Sequence, residues 1–272
     1  MLGFLTLLAT AVPAGETARA LQPIIDEARA RGLTRLVLEN ASYAGPVEIA
    51  GEFELVGAKE GTSAIVGVGK GTVVRVLSDA RVTIEGLEIR GARVGKDDRA
   101  TGGGGGIVLL ERATATLRRV VVSDCEGAFN GSAVNARSLS TLTIEDSEFR
   151  NNRGPFPRPV SVVSISSGAT AIIRRSVFLG NHGGHEISVV DSKSLDISAV
   201  RFGPYAPARE HCQARMAAAG GTGPEFRVSL DGLTVEASSC PTLLTSAKGV
   251  EVVYRNMEWP DATIPENALR VD

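Results

Sequence analysis

The sequence feature that most limits the fold of this chain is a short pattern of alternating apolar and polar residues that returns at intervals. The pattern reads LTIEDSEFRNN at 142–152, AIIRRSVFLGN at 171–181 and, more loosely, VTIEGLEIRGA at 82–92. A unit with one apolar face cannot bury that face alone, so recurring units of this kind stack and share a core. We therefore predict a solenoid in which each pattern belongs to one coil.

The apolar positions of the pattern can be aligned along most of the chain. The last apolar residues of the strong strands form one series, Val56, Ile89, Val122, Phe149, Phe178, Phe202, Val235 and Trp259, with steps of 24 to 33 residues. Five residues before its members, from Ile89 onward, lies a second series: Ile84, Leu117, Ile144, Ile173, Ile197, Leu230 and Tyr254. A further short apolar strand separates successive units, so each coil holds at least two strands. Many β-branched residues with little helix indicate an all-β fold, a parallel β-helix of about seven to eight coils.

Residues that would lie above one another in successive coils support this register. Charges alternate in sign along Glu85, Arg118, Glu145 and Arg174. Opposite charges on neighbouring strands attract, whereas like charges would repel. Asn152 would lie over Asn181 and form a ladder of side-chain amides. Cys125 occupies the same inward position one coil earlier, and we predict that it is a small core residue.

Residues 1–14 have the features of a secretory signal peptide. The run at 4–12 is apolar, and the tripeptide VPA at 12–14 places small residues before a cleavage point. We predict export, and a buried first strand or helix is the alternative because this segment has no Lys or Arg. The run is too short to cross a bilayer and no later stretch is long and apolar enough, so no transmembrane span is expected.

The rest of the chain, 15–272, is predicted to form one β-helix domain. At 15–32 apolar residues recur at helical spacing, with Pro23 in the first turn of a helix that begins near Leu21. Because the open ends of a parallel stack expose strand edges, we expect this helix to cap the first coil and the tail at 260–272 to cover the last. The formal net charge of −2 lacks the basicity of a nucleic-acid binder, so no nucleic-acid partner is expected.

The capping helix, the opening LVLENASYAGPVEI at 36–49 and the repeated coils together resemble the right-handed parallel β-helix proteins of the pectin-lyase-like superfamily. The units FRNN at 149–152 and FLGN at 178–181 are similar to the FxxN repeats of polymorphic outer-membrane proteins, and GGI at 105–107 is similar to their companion element. The resemblance covers nearly the whole chain after residue 14 and implies a single-stranded right-handed parallel β-helix. It implies no particular function, because this fold carries lyases, hydrolases, adhesins and scaffolds.

The loops that follow the Phe149 series vary most, and they should leave the same corner of every coil, where a rigid scaffold can present a site. The catalytic candidates there are His182, His185, Asp124 and Glu126. Both histidines lie in the loop NHGGHE at 181–186, and with a carboxylate they could act as general acid and base or hold a metal. A polar turn without chemistry is the alternative. Polygalacturonases of the superfamily use paired aspartates with a Gly-His-Gly element, which the HGG at 182–184 only approximates.

Other residues of these loops are candidates for binding: Arg153, Phe156, Arg158, Lys96 and Arg99. Phe156 lies between prolines, where it could face a sugar or a protein, or instead anchor its loop on the coil. No Cys/His spacing predicts zinc and no cofactor is expected, although calcium at Asp97 and Asp98 is a minor alternative to a solvated loop tip. Export would permit a disulfide, and Cys212 and Cys240 are the better pair because both lie outside the repeated strands.

Two classes of function are compatible with these observations. The first is a non-catalytic binding or scaffold module outside the cytoplasm, with a polysaccharide or a cell-surface protein as its partner. The second is a polysaccharide lyase or glycoside hydrolase, which would need two carboxylates or a histidine–carboxylate pair facing each other across a groove. The lack of a recognisable catalytic set, together with an aromatic content of only 4%, favours the first class and leaves open whether the protein is an enzyme.

Overall fold

A computed structural model of the chain describes residues 18–94, 104–127, 130–154, 160–204, 215–219, 226–236, 242–246, 250–258 and 268–271. Several predicted features lie outside these residues: the signal peptide at 1–14, Lys96, Asp97, Asp98, Arg99, Phe156, Arg158, Cys212, Cys240 and Trp259. The described residues form three parallel sheets, one strand of each coil entering each sheet, and this confirms the predicted parallel β-helix.

The three sheets follow one another along each coil in the order C, B, A. Sheet A contains β1 (Arg19–Ala20), β3 (Ser42–Ala44), β6 (Ser63–Val66), β9 (Leu87–Arg90), β12 (Val121–Ser123), β15 (Glu148–Arg150), β18 (Val177–Leu179), β21 (Arg201–Phe202) and β24 (Thr234–Val235). Sheet B contains β2 (Arg35–Val37), β5 (Glu52–Val56), β8 (Arg81–Glu85), β11 (Thr114–Arg118), β14 (Thr141–Glu145), β17 (Thr170–Arg174), β20 (Ser194–Ser198), β23 (Phe226–Asp231), β26 (Val250–Arg255) and β27 (Ala268–Arg270). Sheet C contains β4 (Val47–Ile49), β7 (Val74–Val76), β10 (Ile107–Leu109), β13 (Val134–Ala136), β16 (Val163–Ser166), β19 (Ile187–Val190), β22 (Met216–Ala219) and β25 (Leu244–Ser246).

The register of sheet B confirms the predicted inward series. Ile144 lies between Leu117 of the coil before and Ile173 of the coil after. All three side chains are fully buried, because alternate residues of a strand point to opposite faces and these point into the core. The series continues in register to Leu230 and Tyr254.

Sheet A contains the other inward series, with one correction. Phe178 stacks between Phe149 and Phe202, with ring centroids 4.9 and 5.3 Å apart. The prediction that Val56 belongs to this series is wrong, because Val56 lies in sheet B beside Glu85. The residue in register with Ile89 is Ile65, and the shift arises because a six-residue loop at 57–62 precedes that strand.

The first corner between sheets B and A is a four-residue connection at 38–41, and in the six coils after the loop at 57–62 this corner is a turn of one or two residues. Each such turn begins with a residue in the left-handed region, and these residues are Gly86, Arg119, Asp146, Arg175, Ala199 and Gly232, with φ between 46 and 65°. The loop at 57–62 is longer than these turns, but its first residue, Gly57, still packs directly against the backbone of the next coil. A Cβ on Gly57 would lie 1.9 Å from the carbonyl oxygen of Gly86, so only glycine fits there.

Helix α1 (Leu21–Ala30) covers the open end of the first coil, shorter than the predicted 15–32 but with Pro23 in its first turn as expected. Its buried face consists of Leu21, Ile25 and Ala28, and it contacts β2 and β4. Within the residues that the structure describes, no helix has the length and apolar character needed to cross a membrane.

Candidate functional site

The predicted site lies where the chain leaves each strand of sheet A, and three successive residues there have three different roles. The first is left-handed, as in Asp124 with φ 53°. The second points inward, and these residues form what we call the inner column: Ala92, Cys125, Asn152 and Asn181, all with no exposed surface. The third residues pair as parallel bridges between coils and form what we call the edge stack: Arg93, Glu126, Arg153 and His182.

The inner column is held by hydrogen bonds between coils, as the predicted amide ladder requires. The Asn181 Oδ1 atom accepts hydrogen bonds from the backbone nitrogen of Asn152 at 2.9 Å and from its Nδ2 at 3.1 Å. The Asn152 Oδ1 atom in turn accepts from the Cys125 backbone nitrogen at 3.1 Å. Burial raises the pKa of the Cys125 thiol to about 12, which identifies it as an inert core residue.

The edge stack places one carboxylate between two guanidinium groups. The Glu126 carboxylate lies 3.5 Å from Arg93 Nε and accepts a hydrogen bond from Arg153 Nε at 2.9 Å. The two arginine side chains are about half exposed, at 47% and 56%, although Arg93 Nη1 also donates to the carbonyl oxygens of Ala92 and Asp124. The chemistry of this stack is therefore that of a paired, solvent-facing charge strip.

The structure places two of the four catalytic candidates, Glu126 and His182, apart from each other. Arg153 lies between Glu126 and His182 in the stack, so these two are two coils apart, about 10 Å at the usual strand spacing. Asp124 belongs to the same coil as Glu126, and its side chain is exposed. His185 lies beyond two glycines from His182, where its backbone oxygen accepts a hydrogen bond from Val162. The catalytic assignment stays a prediction.

Sequence reasoning missed a charged pair in the same loop. Glu186, interpreted from the sequence as a polar loop residue, is fully buried, with Oε1 3.2 Å from Nη1 of the equally buried Arg215. Its Oε2 accepts a hydrogen bond from Asn181 at 3.1 Å, so the inner column ends on this pair. Burial raises the pKa of Glu186 to about 7, against the opposing effects of Arg215 and Asn181. The sequence signal was its position directly before the apolar strand β19 (Ile187–Val190).

The acidic residues on the strand faces are also paired, as the alternating charges predicted. Arg118 lies 3.7 Å from Glu85 and 3.4 Å from Glu145. Asp146 accepts a hydrogen bond from Arg175 Nε at 2.7 Å, and this contact lowers the pKa of the aspartate. These carboxylates therefore serve the stacking of the coils.

In the central coils, a connecting segment of the chain covers the outward face of sheet C. Val108 and Asn135 alternate with inward residues, yet both are fully buried. A Cβ on Gly104 would lie 2.6 Å from Val108 Cγ2 and 2.8 Å from Asn135 Cβ, so the backbone crosses directly over them. Among the residues described, no group of three or more His, Cys, Asp or Glu side chains is arranged to hold a metal ion. Calcium at Asp97 and Asp98 stays a prediction, since both lie outside these residues.

Comparison with known proteins gives structural similarity at low identity. No protein-family model matches the sequence. No curated protein matches it either. Among solved structures, an alginate lyase from Paenibacillus sp. str. FPU-7 is 13% identical with a TM-score of 0.46, covering 85% of this chain and 92% of that one. The surface protein and adhesin PfbA of Streptococcus pneumoniae is 9% identical with a TM-score of 0.40, covering 91% of each chain. The A-module of the mannuronan C-5 epimerase AlgE4 from Azotobacter vinelandii is 13% identical with a TM-score of 0.29, covering 92% of each.

These similarities are too distant to assign an activity, and the fold assignment rests on the coordinates of the chain. Three parallel sheets, in register from coil to coil and preceded by a capping helix, define the architecture. The molecule is therefore a parallel β-helix, the fold that the repeated pattern predicts.

Proposed function

We propose that the protein is an extracytoplasmic binding or scaffold module that contacts a polysaccharide along the edge stack and carries out no reaction. The location rests on the signal-peptide features of residues 1–14. The choice of surface rests on the half-exposed arginine side chains of Arg93 and Arg153, which a rigid solenoid holds at fixed spacing.

The observation that carries the non-catalytic assignment is the position of Glu126 between Arg93 and Arg153. A general base must reach the proton that it removes, at hydrogen-bond distance or through one water. Glu126 is already engaged at 2.9 Å by Arg153, which also separates it from His182. The strand-face acids Glu85 and Glu145 are engaged in the same way by Arg118.

Binding requires hydrogen-bond donors on this surface, and it does not require an acid–base pair. A guanidinium group presents several donors in a planar fork and suits carboxylate or sulfate groups, and it also donates to sugar hydroxyls. His182 continues the stack beyond Arg153 and extends the strip of donors by one coil. A repeated row of this kind, one group per coil, matches a ligand that is itself a linear repeat.

A polysaccharide lyase or glycoside hydrolase is the second candidate. The observation in its favour is that Asp124 and His182, both exposed, lie on the same corner of the coil. A substrate bound across the one intervening coil could be contacted by both groups at once. The residues that would act are those predicted from the sequence: His182, His185, Asp124 and Glu126.

The deciding experiment measures binding and turnover together on a panel of acidic and neutral polysaccharides. We expect retarded migration in affinity electrophoresis for at least one polysaccharide, no release of reducing ends or unsaturated products, and weaker retardation for Arg153→Ala and His182→Ala. The matched control is Arg112→Ala, which removes an equally exposed guanidinium that pairs with Asp79 at another corner. Turnover by the wild type that is lost in His182→Ala or His185→Ala would establish the enzyme instead.

A further inference from the structure

A recess lies at the opposite margin of sheet A, at its corner with sheet B in the first coils. We call it the corner groove, and its volume is about 750 Å³. It is lined by Arg35, Val37, Val56, Gly57, Ala58, Lys59, Gly61, Thr62, Glu85, Gly86, Leu87, Glu88, Arg119, Val121 and Arg150. None of these residues belongs to the edge stack.

One wall of the groove is the loop at 57–62, which at six residues is the longest B–A connection in the described chain. The loop is fixed at both ends. The Ala58 backbone nitrogen donates to Ser63 Oγ at 2.8 Å, and that hydroxyl donates to the Glu39 carbonyl at 2.6 Å. The Thr62 backbone nitrogen donates to Asn40 Oδ1 at 3.0 Å. The wall is therefore preformed, and a ligand would not have to order it.

The floor of the groove is aliphatic. Val37 and Val56 are partly exposed in register on sheet B, and Val121 is partly exposed on sheet A. No lining residue is aromatic, although rings are the usual platforms for sugars. From β2 to β11 the groove spans four coils, about 14 Å, which is the length of four or five residues of extended peptide.

The rim of the groove is positively charged. Four lining residues are cationic and two are anionic, a surplus of two positive charges on a chain whose net charge is −2. Three of these cations are already paired: Arg35 lies 3.3 Å from Glu54, Arg119 pairs with Glu85, and Arg150 lies 3.1 Å from Glu88. Lys59, exposed on the loop wall, has no ion-pair partner among the described residues. An anionic ligand would supply that partner.

We propose that the corner groove binds an extended, acidic and aliphatic segment of a partner protein. In an extended peptide alternate side chains point to opposite faces, so aliphatic residues can contact the valine floor while acidic residues face the cationic rim. The proposal is independent of polysaccharide binding at the edge stack, because the two surfaces lie at opposite margins of sheet A and share no residue.

The test is fluorescence anisotropy with labelled eight-residue peptides. We expect saturable binding of alternating aspartate and valine, and at least ten-fold weaker binding of alternating lysine and valine. Val121→Glu should weaken the acidic peptide at least ten-fold, and Lys59→Glu about five-fold. Val177→Glu changes the same outward row of sheet A two coils further on, and Lys193→Glu reverses an exposed charge at another corner. Both controls should stay within two-fold of wild type.

Thermal unfolding establishes whether each variant is folded. If Val121→Glu does not fold, Lys59→Glu still tests the proposal, because Lys59 lies on an exposed loop. Equal binding of the acidic and basic peptides, or equal loss in the control variants, would overturn the proposal. So would binding of neither peptide. Direct binding of a labelled oligogalacturonate that is lost in Val121→Glu, without peptide binding, would assign the groove to a glycan. These results are independent of the polysaccharide affinity measured for Arg153→Ala, so either binding proposal can be overturned without the other.

Discussion

Adjacent residues of one turn have different roles in this molecule: one stabilises the coil and the next is available to bind a partner. The inner column and the edge stack differ by a single position in each coil, Asn152 against Arg153 and Asn181 against His182. Inside, an amide satisfies backbone groups that no water can reach, and leaving such a group unpaired costs about 1–3 kcal/mol. Outside, an ion pair is in solvent and contributes about 0–1 kcal/mol. The buried position is therefore constrained by stability, and the exposed one is available to contact a partner.

The sharpest test of this contrast compares Asn181→Ala with His182→Ala. Asn181 makes four hydrogen bonds, two to Asn152 and one each to the Phe149 carbonyl and Glu186. Its truncation should lower the free energy of unfolding by about 3–4 kcal/mol, because several buried groups lose their partners. His182→Ala should change it by less than about 0.5 kcal/mol, as exposed substitutions do. Urea denaturation measures both, and similar values would remove the distinction between the two columns.

Thiol labelling tests whether the inner column is closed to solvent. With its pKa raised to about 12 by burial, the Cys125 thiol should be alkylated at least about a thousand-fold more slowly in the native protein than in urea. The measurement is mass-spectrometric labelling in a chain with Cys212→Ser and Cys240→Ser. Comparable native and denatured rates would mean that the column opens readily.

The buried pair at the end of the column should make stability depend on pH. Glu186 has a folded pKa of about 7, above its ordinary value, so the folded state holds a proton that the unfolded state has released. Its contribution is fully present at about pH 4.5 and below, and about 3 kcal/mol of it is lost as the pH rises through 7.

The measurement is the difference in unfolding free energy between wild type and Glu186→Gln from pH 4.5 to 8. Asp146, whose pKa is lowered by Arg175, changes stability in the opposite direction and cancels in this difference. As the pH rises, the unfolding free energy of the wild type should fall relative to that of Glu186→Gln. A difference that does not vary with pH would mean that Arg215 keeps Glu186 ionised throughout.

The smallest effect should come from the edge stack. Arg153→Ala should lower the free energy of unfolding by less than about 1 kcal/mol, because the lost ion pair is exposed and Arg93 still contacts Glu126. Raising the salt concentration should reduce even this difference. A loss comparable to that of Asn181→Ala would assign Arg153 a structural role and weaken it as a binding residue.

The repeated part of the fold could be predicted because its determinants are local and recur. The coils from Leu55 to Leu230 each place an apolar residue at the position of Ile144, and the register follows from that pattern, down to Asn152 lying on Asn181. Alternating charges such as Arg118 between Glu85 and Glu145 fixed the same register independently.

What could not be predicted depends on contacts between residues far apart in sequence. Glu186 lies in a polar loop motif, and its burial is set by Arg215, 29 residues later. The corner groove exists because the loop at 57–62 is longer than its counterparts, and Asn40 holds it in place. That same loop displaced the predicted inward residue from Val56 to Ile65.

The parallel register also determines how the molecule would carry mechanical load. Each strand bonds to its counterpart in the next coil, so the backbone hydrogen bonds run along the axis of the stack. A pull along the axis that separates two coils loads the bonds of all three sheets together. A pull on one chain end loads only the terminal coil, which would peel off before its neighbour is strained. A partner held in the corner groove would apply force to several coils at once.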